Sequence, residues 1–174
     1  MVTVITKTQE LINQRSQVKG NVGLVPTMGN LHAGHISLLT QALEENDVAY
    51  LSIFVNPKQF GPNDDFHKYP RTLQKDIDLI EACATQYPDK QDFVYAPVSP
   101  EDIFPLSYNL NIAVTEFNTI VEGASRPGHF DGVATVVYRL FDLMKPTRAY
   151  FGLKDYQQYL VISQMVKDLA LPLR

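Results

Sequence analysis

An α/β fold built on a doubly wound parallel sheet is what this sequence predicts, on three observations. Short apolar runs alternate with amphipathic stretches along the whole chain. The runs have the length and composition of strands buried in a parallel sheet, and polar segments containing Gly or Pro follow them. Strands alternating with helices in this way imply right-handed crossovers, helices on both faces, and ligands in the crevice beyond the carboxyl ends of the strands.

The first strand is Val22-Gly23-Leu24-Val25, and Ile36, Leu39 and Leu43 recur after it at helical spacing. Val48 to Val55 is the second, rich in β-branched and aromatic residues and stopped by Asn56-Pro57. The stretch from Asn56 to Pro70 carries four prolines or glycines and is long for a passive connection, which invites a functional reading. Leu73, Ile77, Ile80 and Ala84 mark a helix, Phe93-Val94-Tyr95 a third strand, and Ser99-Pro100-Glu101-Asp102 a short helix start. Asn109 to Thr115 alternates Leu110, Ile112 and Val114 with more polar neighbours, as an edge strand and a partner surface would. Gly123 to Gly132 reads as a turn, and from Val133 to Met144 runs a helical stripe ending before Pro146. Arg148 to Phe151 is strand-like, Tyr159, Ile162, Val166 and Leu169 carry the last helix, and Leu171 to Arg174 looks like the approach to another strand.

Composition narrows the class. The 174 residues, 45% hydrophobic, suit one domain with a good core. A net charge of −4 argues against a broad nucleic-acid or anionic-membrane surface. No apolar run is long enough to span a bilayer and the N-terminus lacks the layout of a signal peptide, so the reading is cytoplasmic. The single cysteine, Cys83, has no intramolecular partner and reads as a small packing residue.

Four segments could carry chemistry. Pro26 to His35 packs two histidines and two glycines into the passage from a strand to a helix. There Gly29 and Gly34 let backbone approach a ligand, and free amides at the helix start favour an anion. His32 and His35, three apart, project to one side and can follow charge developing on a phosphate oxygen. The competing readings are two surface histidines in a Gly-rich turn, or zinc, for which no third ligand stands nearby. Gly152-Leu153-Lys154-Asp155 is again a strand end: Lys154 could meet a triphosphate, and Asp155 is either a helix N-cap or a ligand for ribose or magnesium. Gln59 and Gln158 could hold a small hydroxy-carboxylate through neutral amides, or be ordinary surface residues. Arg126-Pro127-Gly128-His129 presents a cation and a titratable ring on a rigid turn, or is only a solvated turn.

Together these segments resemble the pantoate–β-alanine ligase family. The likeness runs through Val25 to His35, Ser52 to Phe60, Tyr69 to Leu73, Glu122 to Phe130 and Lys154 to Gln158. The resemblance implies a Rossmann-like fold of the HxGH nucleotidyltransferase type. It also implies an ATP-dependent ligase: pantoate attacks the α-phosphorus of ATP to give pantoyl adenylate, and β-alanine then displaces AMP. Carried over residue by residue, Met28, Gly29, Asn30, Leu31, His32, Ala33, Gly34 and His35 line the ATP site, with His35 as proton donor and His32 assisting at the phosphates. Gly152, Leu153, Lys154 and Asp155 form its other wall, with Lys154 on phosphate oxygens. Gln59 and Gln158 hold pantoate, Gln59 also meets β-alanine, Arg126 and His129 shape the pantoate pocket, and Asp76 is a candidate magnesium contact. Leu153 stands where the family usually carries a polar residue. A homodimer is implied, with the strand around Asn109 to Thr115 as a contributor. The family continues into a smaller lid domain with a serine–serine–arginine segment that residues 1–174 do not contain. The expectation is therefore an amino-terminal nucleotide- and pantoate-binding domain that turns over poorly alone. The alternatives are another HxGH nucleotidyltransferase, or a catalytically silent dimerisation and ligand-binding module.

Overall fold

The computed structural model describes residues 2–62, 64 and 66–174; positions 63 and 65, within the Asn56 to Pro70 stretch, lie outside the described residues. In chain order the elements are β1 (Thr3–Ile5), α1 (Thr8–Gln17), β2 (Val22–Thr27), α2 (Ala33–Glu45), β3 (Val48–Ile53), α3 (Leu73–Ala84) and β4 (Gln91–Tyr95). Then come two short helices, α4 (Pro100–Ile103) and α5 (Val121–Ser125), followed by α6 (His129–Met144), β5 (Arg148–Ala149) and α7 (Tyr156–Asp168). Single 3-10 turns cover Pro57–Gln59, Phe66–Lys68, Phe117–Thr119 and Leu153–Asp155.

Every strand pair is parallel, in the order β1-β4-β3-β2-β5. The expected parallel sheet is therefore present. Because side chains alternate across each strand, β3 sends Tyr50 into one core and Leu51 into the other. The first core packs α1, α6 and α7 through Leu11, Phe130 and Val161; the second packs α2 and α3 through Leu39 and Ile80. Helices thus cover both faces. Arg174 donates to Thr147 O and accepts from Ala149 N at 3.0 and 2.7 Å, the pattern of a parallel bridge beside β5, in keeping with the strand-like reading of that segment.

Three segments differ from the sequence reading. Asn109 to Thr115 is not a strand: Ile112 N–H donates to Thr135 Oγ1 and Val114 N–H to Asp131 Oδ1, so α6 side chains satisfy its backbone instead of a ladder. Ile112 and Val114 pack on the first core, and the alternation records that one-sided burial. Gly123 to Gly132 is not one turn either, since α5 and α6 occupy most of it and only Arg126 to Gly128 bend. Finally, β1 and α1 carry no periodicity that marks them: β1 has three residues, and α1 buries only Leu11.

Candidate active site at the β2–β5 switch point

From β2 the chain winds outward through β3 and β4 on one side, and it returns through α6 to place β5 on the other. The point where the order reverses lies between β2 and β5, and crevices at such points are where open α/β sheets bind ligands. A cavity of about 370 Å³ opens there, lined by Met28, His32, Gly34 and His35 from the β2 end and by Gly152, Lys154, Asp155 and Gln158 from the β5 end. Gln59 closes it from the β3 side, and Val133, Val136 and Val137 of α6 give an apolar floor. The strand-end loops of β2, β3 and β5 converge, as the sheet order requires.

The turn after β2 is held from beneath. Gly29 and Asn30 both adopt positive φ, 82° and 53°, which aims consecutive amides into one concavity. The occupant of that concavity is Asp76 of α3, almost fully buried: its Oδ2 accepts from Asn30 N–H at 3.0 Å and from Thr72 Oγ1 at 3.1 Å, and its Oδ1 from Leu31 N–H at 2.8 Å. Leu31 is buried in the second core, and Gly29, Asn30, Ala33 and Leu153 do not line the cavity. The amides of Asn30 and Leu31 therefore serve the fold, and the donors left to face the cavity are side chains.

Two of those donors are set by a reciprocal cap. His32 occupies the N-cap of α2 and its Nδ1 accepts from Gly34 N–H at 3.1 Å, while His35 Nδ1 accepts from His32 N–H at 3.3 Å. A Cβ on Gly34 would lie 2.9 Å from the His32 ring, so glycine makes room for the protein's own imidazole as much as for a ligand. Since a backbone N–H only donates, both Nδ1 atoms are bare, and each neutral ring carries its proton on Nε2. The rings stand 4.1 Å apart between centroids. Burial foremost, and then the adjacent His32, hold the His35 imidazole below its ordinary pKa. Lys154 is exposed and has no ion-pair partner among the described residues. Asp155 stands at the N-cap position of α7, yet its side chain makes no capping bond and lines the cavity.

Gln59 is only 8% exposed, so it is no ordinary surface glutamine. Its Nε2 donates to Met28 Sδ at 3.1 Å, and its Oε1 accepts from Asn56 Nδ2 at 3.1 Å, which also reaches Gly132 O at 3.0 Å. Arg126 and His129 do not line the cavity; they stand behind Gln59, with His129 Nδ1 2.9 Å from the Gln59 carbonyl oxygen and Arg126 Nη1 3.2 Å from His129 Nε2. Sequence reasoning missed Asn56 and Gln157 as supports. Gln157 donates to Phe117 O and Ile120 O and accepts from Glu122 N–H, which ties the start of α7 to the segment before α5. Asn56 was findable as the polar residue that caps the turn starting at Pro57, just past the end of β3.

An α/β domain of the nucleotidyltransferase type, with an HxGH turn at its switch point, is what these features define. The chain belongs to the pantoate–β-alanine ligase family: the family model described as pantoate-beta-alanine ligase matches residues 1–174. The pantothenate synthetase of Herpetosiphon aurantiacus is 51% identical over 169 residues, 97% of this chain and 58% of that protein; that of Fervidobacterium nodosum is 46% identical over the same shares. Among solved structures, pantothenate synthetase from Thermus thermophilus aligns with a TM-score of 0.90 at 44% identity, over 99% of this chain and 60% of that one. The Francisella tularensis pantoate-beta-alanine ligase, complexed with beta-gamma ATP and beta-alanine, aligns at 0.89 and 40% identity over the whole of this chain and 65% of that one. The chain thus spans about three fifths of the relatives' length.

Proposed function

We propose that this chain carries the ATP- and pantoate-binding site of a ligase that joins pantoate to β-alanine through pantoyl adenylate. The observation that carries this reading is the pairing, across one cavity, of phosphate donors with neutral carboxylate holders: His32, His35 and Lys154 on one part, Gln59 and Gln158 on the other. The relatives' names and the ATP and β-alanine in the Francisella structure support it.

In the first step a pantoate carboxylate oxygen attacks the α-phosphorus and pyrophosphate leaves with the electrons of the broken bond. The Nε2–H groups of His32 and His35 and the Lys154 ammonium follow the charge that builds on the phosphate oxygens. In the second, the β-alanine amine attacks the acyl carbon, AMP leaves, and the nitrogen gives up a proton. Gln59 and Gln158 hold the pantoyl group through both steps without adding charge, while the valines of α6 shield its apolar carbons. The segments carried over for ATP are Met28 to His35 and Gly152 to Asp155; of these Met28, His32, Gly34, His35, Gly152, Lys154 and Asp155 line the cavity, and Asn30 and Leu31 act from behind it through Asp76.

Magnesium is implied by the use of ATP, but no group of three or more His, Cys, Asp or Glu suited to a metal occurs among the described residues. Both oxygens of Asp76, moreover, already accept hydrogen bonds. The described residues do not form a metal cage, and no step above passes through one. No helix is long and apolar enough to cross a membrane, among the described residues. A cytoplasmic location and assembly as a homodimer complete the reading; exposed Leu106 and Leu110, near the extended run before α6, fit a covered surface.

Calorimetry tests the assignment. Gln59→Ala and Gln158→Ala should each weaken pantoate binding about tenfold, the worth of one hydrogen bond, and leave ATP binding alone, whereas His35→Ala and Lys154→Ala should do the reverse. Pantoate binding that is indifferent to both glutamines would overturn it.

A further inference from the structure

The line from Arg126 through His129 to Gln59 has a direction fixed by chemistry alone. A guanidinium has no acceptor, so the 3.2 Å contact from Arg126 Nη1 requires a bare Nε2 on His129. A carbonyl oxygen cannot donate, so the 2.9 Å contact with Gln59 O requires a proton on Nδ1. The ring is therefore neutral and held in the Nδ1–H tautomer, opposite to the tautomer that the reciprocal cap imposes on His32 and His35. Arg126 is itself anchored by Glu122 at 2.9 Å and Asp64 at 3.4 Å. His129 is buried and its ring stands edge-on to Phe130, 4.9 Å between centroids, so it has little freedom to turn.

What the ring holds is the main chain of the residue whose amide faces the cavity. The start of α6 meets the Pro57–Gln59 turn without intervening side chains: a Cβ on Gly132 would overlap Lys58 O and lie 2.6 Å from Gln59 N, and Asn56 Nδ2 ties the same turn to Gly132 O. Backbone contact of this kind sets distance, and Phe60 N–H, donating to Pro57 O at 3.2 Å, holds one edge of the Gln59–Phe60 peptide; a tilt about that edge would still swing the Gln59 side chain across the cavity. The bond from His129 is directed at that peptide's oxygen.

We infer that His129 is a positioning residue for substrate: its Nδ1–H fixes the Gln59 carbonyl, and so the orientation of the Gln59 amide toward pantoate, while Arg126 selects the tautomer able to donate. This rests on the proposal that Gln59 contacts pantoate. Neither residue touches the substrate; both act through the Gln59 backbone.

Two measurements test it. Long-range proton–nitrogen NMR correlations on the chain at neutral pH should show His129 as the Nδ1–H form, and Arg126→Ala should let the Nε2–H form appear; an Nε2–H ring in the unaltered chain overturns the inference. Pantoate binding by calorimetry then separates positioning from packing. His129→Asn places an amide nitrogen near the Nδ1 position and should stay within about threefold of the unaltered chain, whereas His129→Gln, which reaches toward the Nε2 position, and His129→Leu should weaken binding about tenfold with ATP affinity unmoved. Equal losses in the Asn and Gln variants, or ATP affinity falling in step, mean that His129 contributes packing only and defeat the inference. Absence of pantoate binding in the unaltered chain instead defeats the reading of Gln59 on which it rests.

Discussion

At the level of single residues, the protonation of the site is written into main-chain contacts. His32 and His35 each accept a backbone N–H on Nδ1, and His129 donates its Nδ1–H to a carbonyl, so main-chain partners that cannot change role select the tautomer of each neutral ring. Burial is the leading cause that holds both His35 and His129 below the ordinary imidazole pKa, with His32 next for the former and the Gln59 hydrogen bond opposing it for the latter. The sign of the linkage follows: as pH falls, the unfolded chain takes up protons before the folded one does. The stability these rings contribute is complete above about pH 6.5 and is lost as pH drops through their folded-state values. Thermal melts between about pH 8 and about pH 5 should therefore show a falling midpoint on the acid side, and His35→Gln should flatten that slope. A slope unchanged by the substitution would deny His35 any part in it. The histidines were legible in the sequence because the spacing of Pro26 to His35 puts them where a strand becomes a helix. Their tautomers were not, since those depend on which main-chain group each ring nitrogen meets.

Between elements, α3 does for the β2 turn what α6 does for the β3 turn. Asp76 receives two consecutive amides and the Thr72 hydroxyl in a place where little water enters, so its carboxylate replaces the solvation those donors lose. Asp76→Ala should lower stability by roughly 1.5–3 kcal/mol, the range for hydrogen bonds to a charged group, and weaken ATP binding by loosening His32 and His35. Urea unfolding with parallel calorimetry checks both, and a variant of unaltered stability would show that the turn holds itself. The sequence places Asp76 on a helix but cannot show that its partners lie 45 and 46 residues away. The misread elements have similar causes. The alternation of Asn109 to Thr115 reports one buried side, which an extended segment tied to α6 shows as well as a strand does. Gly132 marks a close approach of α6 to Lys58 and Gln59 rather than a helix break. Short β1 gains its place by pairing with β4 and burying Ile5 in the first core, which no local pattern encodes.

For the whole molecule, the strand order decides which loops can share a ligand. The ends of β2 and β5 flank the switch point, and the cavity between them holds every cationic or titratable side chain assigned to the phosphates. A second cavity of about 370 Å³ lies at the ends of β3 and β4, with Arg71 and Ser99 on its walls, and Met28 and Phe54 line both spaces. The two make different demands: the first offers His32, His35 and Lys154 to an anion, whereas the second offers Arg71, which already donates to His67 O and Tyr69 O, and the filled carboxylate of Asp76. A triphosphate carries several charges and needs several donors at once, which the switch-point cavity, of these two, supplies. Hydrogen exchange read before and after addition of a non-hydrolysable ATP analogue should accordingly slow at residues 32–36 and 152–158, with little change at residues 96–100. Asn30 and Leu31, whose amides are already bonded to Asp76, should be slow in both states. Protection centred on residues 66–73 and 96–100 would place the nucleotide in the second cavity and reverse the assignment of the phosphate donors.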